Sequence, residues 1–399
     1  MFSRVISIFG LAIFILLAWM MSEDRKHFNW RTILWGLGLQ LSFAILVLLT
    51  PAGRALFNFV RLVFDKVVSF SDKGAMFVFG NLVNDFNIGA IFAFKILPVV
   101  IFVSSLSAIL YHLGVIQFVV KYMALLMMYT MKISGAEALA TALQVFLGIE
   151  SNTAIKSYMT GMTRSELFLI MTAFMSTIAS SVMATYAMFG AEPGHLLAAS
   201  IMNAPAAVII AKLMVPETGT PETMGFINFK EDKPDSNVIE AAANGASQGL
   251  NLALNIAAMI IAFIALIWMF DWLLGKLGVS LEKVFSIIFW PFAFLMGVPA
   301  GEASTVAKLL GTKTVFNEFI AYMQLQELIK SGVLSPKSVV IATYALCGFS
   351  NFGSIAIMLG GMTALAPTRR SEIAGLGFKS LIAGTLATFI TTCIAGMLV

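Results

Sequence analysis

Long runs of apolar residues constrain the fold of this chain more than any other feature. Residues are 59% hydrophobic and 12% charged, whereas soluble domains are roughly 45–50% apolar and about 25% charged. A bilayer crossing takes about 20 residues, and the composition therefore predicts an all-α polytopic membrane protein. The runs that could cross lie at 5–21, 32–50, 91–116, 166–190, 196–215, 250–274, 338–360 and 376–399.

The segment 53–80 is too polar to cross a membrane and too apolar to be an ordinary loop. Arg54, Arg61 and Lys66 recur at helical spacing among Phe, Leu and Val residues. This pattern is typical of an amphipathic helix in the membrane interface. Residues 1–80 are therefore predicted to form the N-terminal spans and an interfacial helix, as a scaffold.

Two broken segments, near 133–155 and 286–311, each join short apolar arms through a glycine-containing break that carries a carboxylate. Broken backbone at membrane depth is tolerated only where protein buries it or where it lines a watery cavity. A corresponding pair of broken segments indicates an inverted repeat with re-entrant hairpins and a site near the midplane. The predicted units are 81–215 and 248–399, joined by the polar linker 216–247.

Glu150 and Glu302 lie at these two breaks. A carboxylate in the bilayer interior costs on the order of 2.5–3.5 kcal/mol on insertion scales, so its retention indicates function. Such a carboxylate could accept hydrogen bonds from substrate hydroxyls or coordinate a coupling cation. The alternatives are a glycine-kinked core helix and a structural carboxylate that caps its own re-entrant turn.

Polar groups also interrupt two of the apolar runs. Asn351 and Ser354 share one helical face, and flanking glycines indicate an unwound stretch. Phe349 or Phe352 could offer a flat face to a ring there. The hydroxyl-rich run 176–181, which includes Ser180 and Ser181, suits cation coordination or close helix packing.

The net charge of +4 does not indicate binding to nucleic acid, because the basic residues lie between apolar runs and would anchor loops at the membrane surface. Placing the basic loops in the cytoplasm puts both termini outside. A channel would need a continuous polar stripe along several spans, whereas the polar groups of this chain concentrate at the two breaks. A channel is therefore not expected. An enzyme would need a nucleophile with a base or a metal set, so neither an enzyme nor a cofactor is expected.

The motifs Gly297-Val298-Pro299, Asn317-Glu318-Phe319 and Gly348-Phe349-Ser350-Asn351-Phe352-Gly353-Ser354 occur in this order. Together with Glu302 they resemble the concentrative nucleoside transporter family. The resemblance implies a homotrimer in a bacterial inner (plasma) membrane, with eight transmembrane helices, two re-entrant hairpins and an interfacial helix per protomer. It also implies symport of nucleosides with H⁺ or Na⁺ by an elevator-type motion of the hairpin-bearing half.

The resemblance further implies that Glu302, Asn351 and Ser354 hold the ribose, while Phe349 packs beside the base. The remaining alternative is a symporter for another small polar metabolite, such as a nucleobase or a sugar.

The first hairpin departs from the family pattern, because Gly148-Ile149-Glu150-Ser151-Asn152 stands where many members read Gly-Gln-Thr-Glu or Gly-Gln-Ser-Glu. Ile149, Glu150 and Ser151 are expected to contact the substrate, and the loss of the glutamine amide favours purine nucleosides. Gln144 stands where sodium-coupled members carry asparagine. Two coupling ions therefore stay open. One is H⁺, carried by Glu150 or Glu302, and the other is Na⁺, at a site that would include Gln144, Ser180 and Ser181.

Overall fold

The computed structural model describes residues 2–83, 92–226, 235–276 and 278–399, without the side chains of Phe92, Ile149, Glu150, Asn152 and Thr153. These residues form helices and loops, and no strand occurs among them. The α-helices are α1 Phe2–Met20, α2 Trp30–Leu49, α3 Pro51–Phe79, α4 Leu97–His112, α5 Val115–Met131, α6 Gly135–Leu147, α7 Arg164–Ser176, α8 Ser180–Met188, α9 Pro193–Met214, α10 Val238–Gly275, α11 Leu281–Leu295, α12 Ala300–Val315, α13 Glu318–Lys330, α14 Pro336–Leu346, α15 Phe352–Leu365 and α16 Arg370–Leu398. Short 3-10 turns lie at Gly80–Val83, Gly148–Ile155 and Pro367–Arg369, and a π turn lies at Phe92–Ile96.

Seven helical segments in the described ranges are long and apolar enough to cross a membrane. A bent pair, α11 and α12, would make an eighth span if the pair crosses as one unit. Seven of the eight predicted runs coincide with these segments, whereas the run 338–360 is divided between α14 and α15. The amphipathic segment 53–80 is helical as α3, which starts at Pro51 and ends at Phe79.

One order of elements occurs twice along the chain. A long helix and a second helix precede a hairpin, a discontinuous helix and a closing helix. The first series is α4, α5, α6 with the turn Gly148–Ile155, α7 with α8, and α9. The second is α10, α11, α12 with α13, α14 with α15, and α16. It begins at Val238, inside the segment 216–247 predicted to be a linker.

The second hairpin of this series lies further along the chain than 286–311. That segment contains the junction of α11 and α12, where the two helices are bent by 118°. The hairpin break instead falls at Phe316 and Asn317, between α12 and α13. No glycine or proline marks this break. The Asn317 side chain accepts a hydrogen bond from the N–H of Ile320 (2.9 Å) and so caps the start of α13 at the break.

Burial separates two parts of the molecule. Of the residues in the apolar stretch of α9, 83% are buried, against 11% in α10. We call α6–α9 with α12–α16 the central body, and α4 with α10 the outer pair. The outer pair is closely packed, since a Cβ added at Gly245 of α10 would lie 2.8 Å from the Ser104 carbonyl oxygen of α4.

The two discontinuous helices cross at their breaks inside the central body. The buried Asn203 amide of α9 donates to the carbonyl oxygens of Ser176 (2.7 Å) and Cys347 (2.8 Å), one at each break. The Ser350 hydroxyl donates to the Met175 carbonyl at 2.7 Å. Because the last carbonyls of a helix have no intrahelical donor, these bonds satisfy buried acceptors and tie one break to the other.

Basic residues gather at one end of the central body. Glu23, in the loop between α1 and α2, accepts hydrogen bonds from Arg164 (2.9 and 3.0 Å) and Lys379 (3.0 Å). Its hydrogen bonds with the Arg164 guanidinium are the main reason that the pKa of Glu23 is lowered to about 2. The carboxylate is therefore charged at neutral pH and joins the first loop to the start of α7 and to Lys379, the tenth residue of α16.

Candidate substrate site

A cavity of about 720 Å³ lies between the outer pair and the central body. Small-molecule sites commonly have roughly 300–1,000 Å³. Ser104 and Ser107 of α4 and Gln248 of α10 line one side, and both hairpins and both breaks line the other. The cavity therefore contains groups from both series of helices.

Glu318 supplies the carboxylate of this cavity. It is the first residue of α13 and is 6% exposed. Oε1 accepts a hydrogen bond from the Tyr186 hydroxyl, and Oε2 accepts one from the Asn351 side-chain amide, both at 2.7 Å. Two neutral donors, one from α8 and one from the start of α15, thus fix the orientation of the carboxylate.

Asn351 and Ser354 lie together at the predicted unwound stretch, since α14 ends at Leu346 and α15 begins at Phe352. The Asn351 Oδ1 atom accepts a hydrogen bond from the Ser354 N–H (2.8 Å) and so caps α15. Asn351 therefore uses its acceptor on the helix and its donor on Glu318. Both Asn351 and Ser354 line the cavity.

Aromatic side chains form an apolar face beside these polar groups. Phe349 is half-buried and its ring centroid lies 5.5 Å from that of Phe174, with the planes inclined by 35°. Phe319 follows Glu318 in the same wall. A planar, partly apolar ligand group could lie against these rings while its polar part reaches Glu318.

The first hairpin contributes Gly148 and Ser151 to the cavity wall. Gly148 ends α6 with φ of 63°, and a Cβ there would lie 3.2 Å from the Ala179 Cβ, so a side chain would be strained. The Ser151 hydroxyl is buried and has no hydrogen-bond partner among the described residues. The side chains of Ile149 and Glu150 lie outside those residues, and their predicted roles stay predictions.

Glu302 lies away from the cavity. Its carboxylate accepts hydrogen bonds from the backbone N–H and the hydroxyl of Ser335, both at 3.0 Å, at the start of α14. Glu137 takes the same third position of α6, where it accepts a hydrogen bond from the Ser134 N–H (2.8 Å). The structure thus gives Glu302 a capping contact on a neighbouring helix, and of the two carboxylates Glu302 and Glu318 it is Glu318 that lines the cavity.

Helix α12 separates the two carboxylates, because Glu302 is in its first turn and Glu318 follows its end. A helix of 16 residues is about 24 Å long at 1.5 Å per residue. In the sequence, glycine and proline near a carboxylate point to Glu302. The cavity carboxylate is marked by a different pattern, an asparagine cap directly before a glutamate, Asn317-Glu318.

The coupling-ion candidates of the first repeat surround the end of α6. The Gln144 side chain is buried, and its Nε2 donates to the Ile170 carbonyl at 3.2 Å. The Ser180 hydroxyl donates to the Phe146 carbonyl at 2.9 Å, and Ser181 lines the cavity. The carboxyl ends of α6 and α7 meet here, and helix carboxyl ends carry partial negative charge that favours a cation.

No group of three His, Cys, Asp or Glu residues in the described ranges could hold a metal ion. A cation at the end of α6 would therefore bind to carbonyl, amide and hydroxyl oxygens, which are ligands of hard cations. Among the described lining residues of the cavity, the charged side chains are Asp235 and Glu318, both acidic. A neutral hydroxylated ligand fits such a lining, whereas a phosphorylated one would be repelled.

Comparison with known families gives matches along most of the chain. The models "Na+ dependent nucleoside transporter N-terminus", "Nucleoside recognition" and "Na+ dependent nucleoside transporter C-terminus" match residues 9–82, 93–193 and 195–396. The rat protein "Solute carrier family 28 member 3" is 42% identical over 99% of this chain and 59% of its own length. The Bacillus subtilis "Uncharacterized transporter YutK" is 42% identical over 98% of both chains.

Solved structures agree with these matches. CNTnw in an inward-facing, substrate-bound state is 36% identical, with a TM-score of 0.94 over 99% of this chain and 98% of that one. A CNTnw variant in an outward-facing state is 35% identical, with a TM-score of 0.95 over 100% and 99%. The chain spans about three fifths of the length of the solute carrier family 28 member 3 proteins that it matches. The protein belongs to the Na⁺-dependent nucleoside transporter family, the concentrative nucleoside transporters.

Proposed function

We propose that this protein is a symporter that imports nucleosides together with a cation. The observation that carries the proposal is the Glu318 carboxylate, held by Tyr186 and Asn351 beside the Phe349 ring. Ribose hydroxyls donate strong, charge-assisted hydrogen bonds to a fixed carboxylate. The base would lie against the Phe349 ring, near the buried Ser151 hydroxyl of the first hairpin.

The position of the cavity supports an elevator-type motion. One wall belongs to the outer pair, and the residues that would hold the ribose belong to the central body. If the central body moves relative to the outer pair, it carries the ligand groups with it and leaves the other wall behind. The inward-facing and outward-facing states reported for CNTnw support this mechanism by analogy.

Sodium is the proposed coupling ion. The family models name Na⁺-dependent transporters, and the end of α6 supplies oxygen ligands near Gln144 and Ser180. The capping contact of Glu302 with Ser335 and its position outside the cavity argue against that carboxylate as a proton carrier. Proton coupling would then have to involve another group, of which Glu150 is the remaining candidate.

Uptake into proteoliposomes tests this function directly. Labelled uridine and inosine would be offered with either a Na⁺ gradient or a pH gradient imposed separately. We expect accumulation under the Na⁺ gradient and only background uptake under the pH gradient. Uptake driven by protons alone would overturn sodium coupling. If neither nucleoside moves under either gradient while a nucleobase or a sugar does, the nucleoside assignment fails.

A preference for purine nucleosides is proposed from Ile149, which offers no amide to the base. Replacement Ile149→Gln should shift competition between inosine and uridine towards uridine by about 5-fold, because one hydrogen bond is worth roughly 1 kcal/mol. The measurement is inhibition of labelled adenosine uptake by each unlabelled nucleoside, with Ile149→Leu as the control. An unchanged competition profile would show that this position does not contact the base.

The membrane arrangement is also a proposal. The mostly exposed surface of α10 suits contact with lipid or with other protomers of a homotrimer in a bacterial inner membrane. The basic cluster that includes Arg164 and Lys379 would face the cytoplasm, with both termini outside. Cysteine labelling from one side of sealed vesicles would test this orientation.

A further inference from the structure

Lys313 is a buried cationic residue to which the proposed transport mechanism has given no role. It lies in the last turn of α12 and is 2% exposed. Its ammonium group donates to the Ala345 carbonyl oxygen at 2.8 Å, in the last turn of α14. The last carbonyls of a helix lack intrahelical donors, and Lys313 therefore supplies a positive charge at a helix end that needs one.

In both of the predicted repeats, the end of a hairpin helix meets the break of a discontinuous helix. We call this contact a junction. In the first repeat, the end of α6 meets the break after α7, where the Thr177 hydroxyl lies 3.4 Å from the Gln144 carbonyl. In the second repeat, the end of α12 meets the end of α14 through Lys313 and Ala345. Asn203 donates to a carbonyl at each of the two breaks, so the junctions lie on either side of one side chain.

The charges at the two junctions differ. Each junction brings together the carboxyl ends of two helices, which carry partial negative charge. At the first junction the described neighbours, Gln144, Thr177 and Ser180, offer oxygens and no positive charge. At the second junction Lys313 supplies the charge, and it also interacts electrostatically with Glu318.

We propose that the Lys313 ammonium is a tethered cation, which takes at the second junction the place that the coupling Na⁺ takes at the first. Lys313 is then a positioning residue, because it stabilises the α14 end and the side of the cavity that carries Glu318 without touching the substrate. The inference rests on the proposed sodium-coupled function. It implies that the second repeat needs no mobile ion.

Lys313→Gln removes the charge and installs an amide like that of Gln144. We expect the vacated junction to need a mobile cation, so the Hill coefficient of uptake for Na⁺ should rise from about 1 to about 2, and uptake at low Na⁺ should fall more than about 10-fold. The matched control is Lys308→Gln, five residues earlier on the same helix, where the lysine is 42% exposed and pairs with Glu282. That control should keep the wild-type dependence on Na⁺.

A second experiment does not depend on transport. Lys313→Ala, purified in detergent, should gain thermal stability as methylammonium is added, because a small cation that binds the folded state alone stabilises it. Wild type and Lys308→Ala should not respond. Lys313→Arg keeps the charge and should retain uptake better than Lys313→Met, which has a similar volume without charge.

The outcomes separate the two proposals. A Lys313→Gln protein with wild-type uptake and an unchanged Na⁺ dependence would overturn the tethered cation. Equal losses in Lys313→Arg and Lys313→Met, with no methylammonium effect on Lys313→Ala, would also overturn it. If wild type itself takes up no nucleoside, the proposed function fails, whereas a specific methylammonium effect would still support a cation site at this junction.

Discussion

Glu318→Gln should abolish nucleoside uptake, with a loss of at least about 100-fold, while the protein stays folded. The substitution removes the negative charge, and hydrogen bonds to charged groups are worth roughly 1.5–3 kcal/mol each. It also turns one acceptor into an NH₂ donor, which must face either the Tyr186 hydroxyl or the Asn351 amide, both donors in the structure. Uptake of labelled uridine and inosine into proteoliposomes measures the loss.

Glu302→Gln is the matched control, because it makes the same chemical change at the other end of α12. It should keep uptake within a few-fold of wild type and lower thermal stability by about 1 kcal/mol, since only the cap of α14 is weakened. The reverse result, with Glu302→Gln inactive and Glu318→Gln active, would return the substrate role to Glu302.

Asn203→Leu should cause the second largest effect, a loss of roughly 2–5 kcal/mol of stability together with a fall in uptake of more than about 10-fold. Leucine has the same number and branching of side-chain heavy atoms as asparagine but no donor. The carbonyl oxygens of Ser176 and Cys347 would then be buried without their present partner, and the two breaks would no longer be joined. Thermal unfolding in detergent and Na⁺-driven uptake are the two measurements.

Two further variants provide a comparison for the losses of stability and uptake in Asn203→Leu. Ser350→Ala removes one bond at the crossing, to the Met175 carbonyl, and should cost about 1 kcal/mol. Asn251→Leu makes the same change on the exposed side of α10 and should leave both measurements unchanged. If Asn203→Leu behaves like Asn251→Leu, the crossing does not depend on the amide.

Apolar length predicted seven of the long apolar helices of this fold, whereas the run 338–360 is divided between α14 and α15. The run 196–215 is α9, which is Pro193–Met214 in the structure, and the charged pattern over 53–80 is α3. Both signals are local, because hydropathy and helical spacing are properties of neighbouring residues. The unwound stretch near Gly348 was found for the same reason, since glycines mark it in the sequence.

Breaks made by tertiary contacts were not predictable in this way. The run 166–190 is interrupted at 177–179, where no glycine or proline stands. The break exists because Asn203 and the Ser180 hydroxyl contact carbonyl oxygens of distant segments. Glu318 was missed as a site residue on similar grounds, because only folding brings it beside Tyr186 and Asn351.

The amide of Asn203 has a consequence for how tightly ion and nucleoside flow are linked. It fixes the distance between the break that adjoins Gln144 and the break that carries Asn351. Neither end of this crossing can shift alone without exposing a buried carbonyl. A carrier with this connection should move the cation and the nucleoside together. Transport of one without the other would require the hydrogen bonds of Asn203 to break.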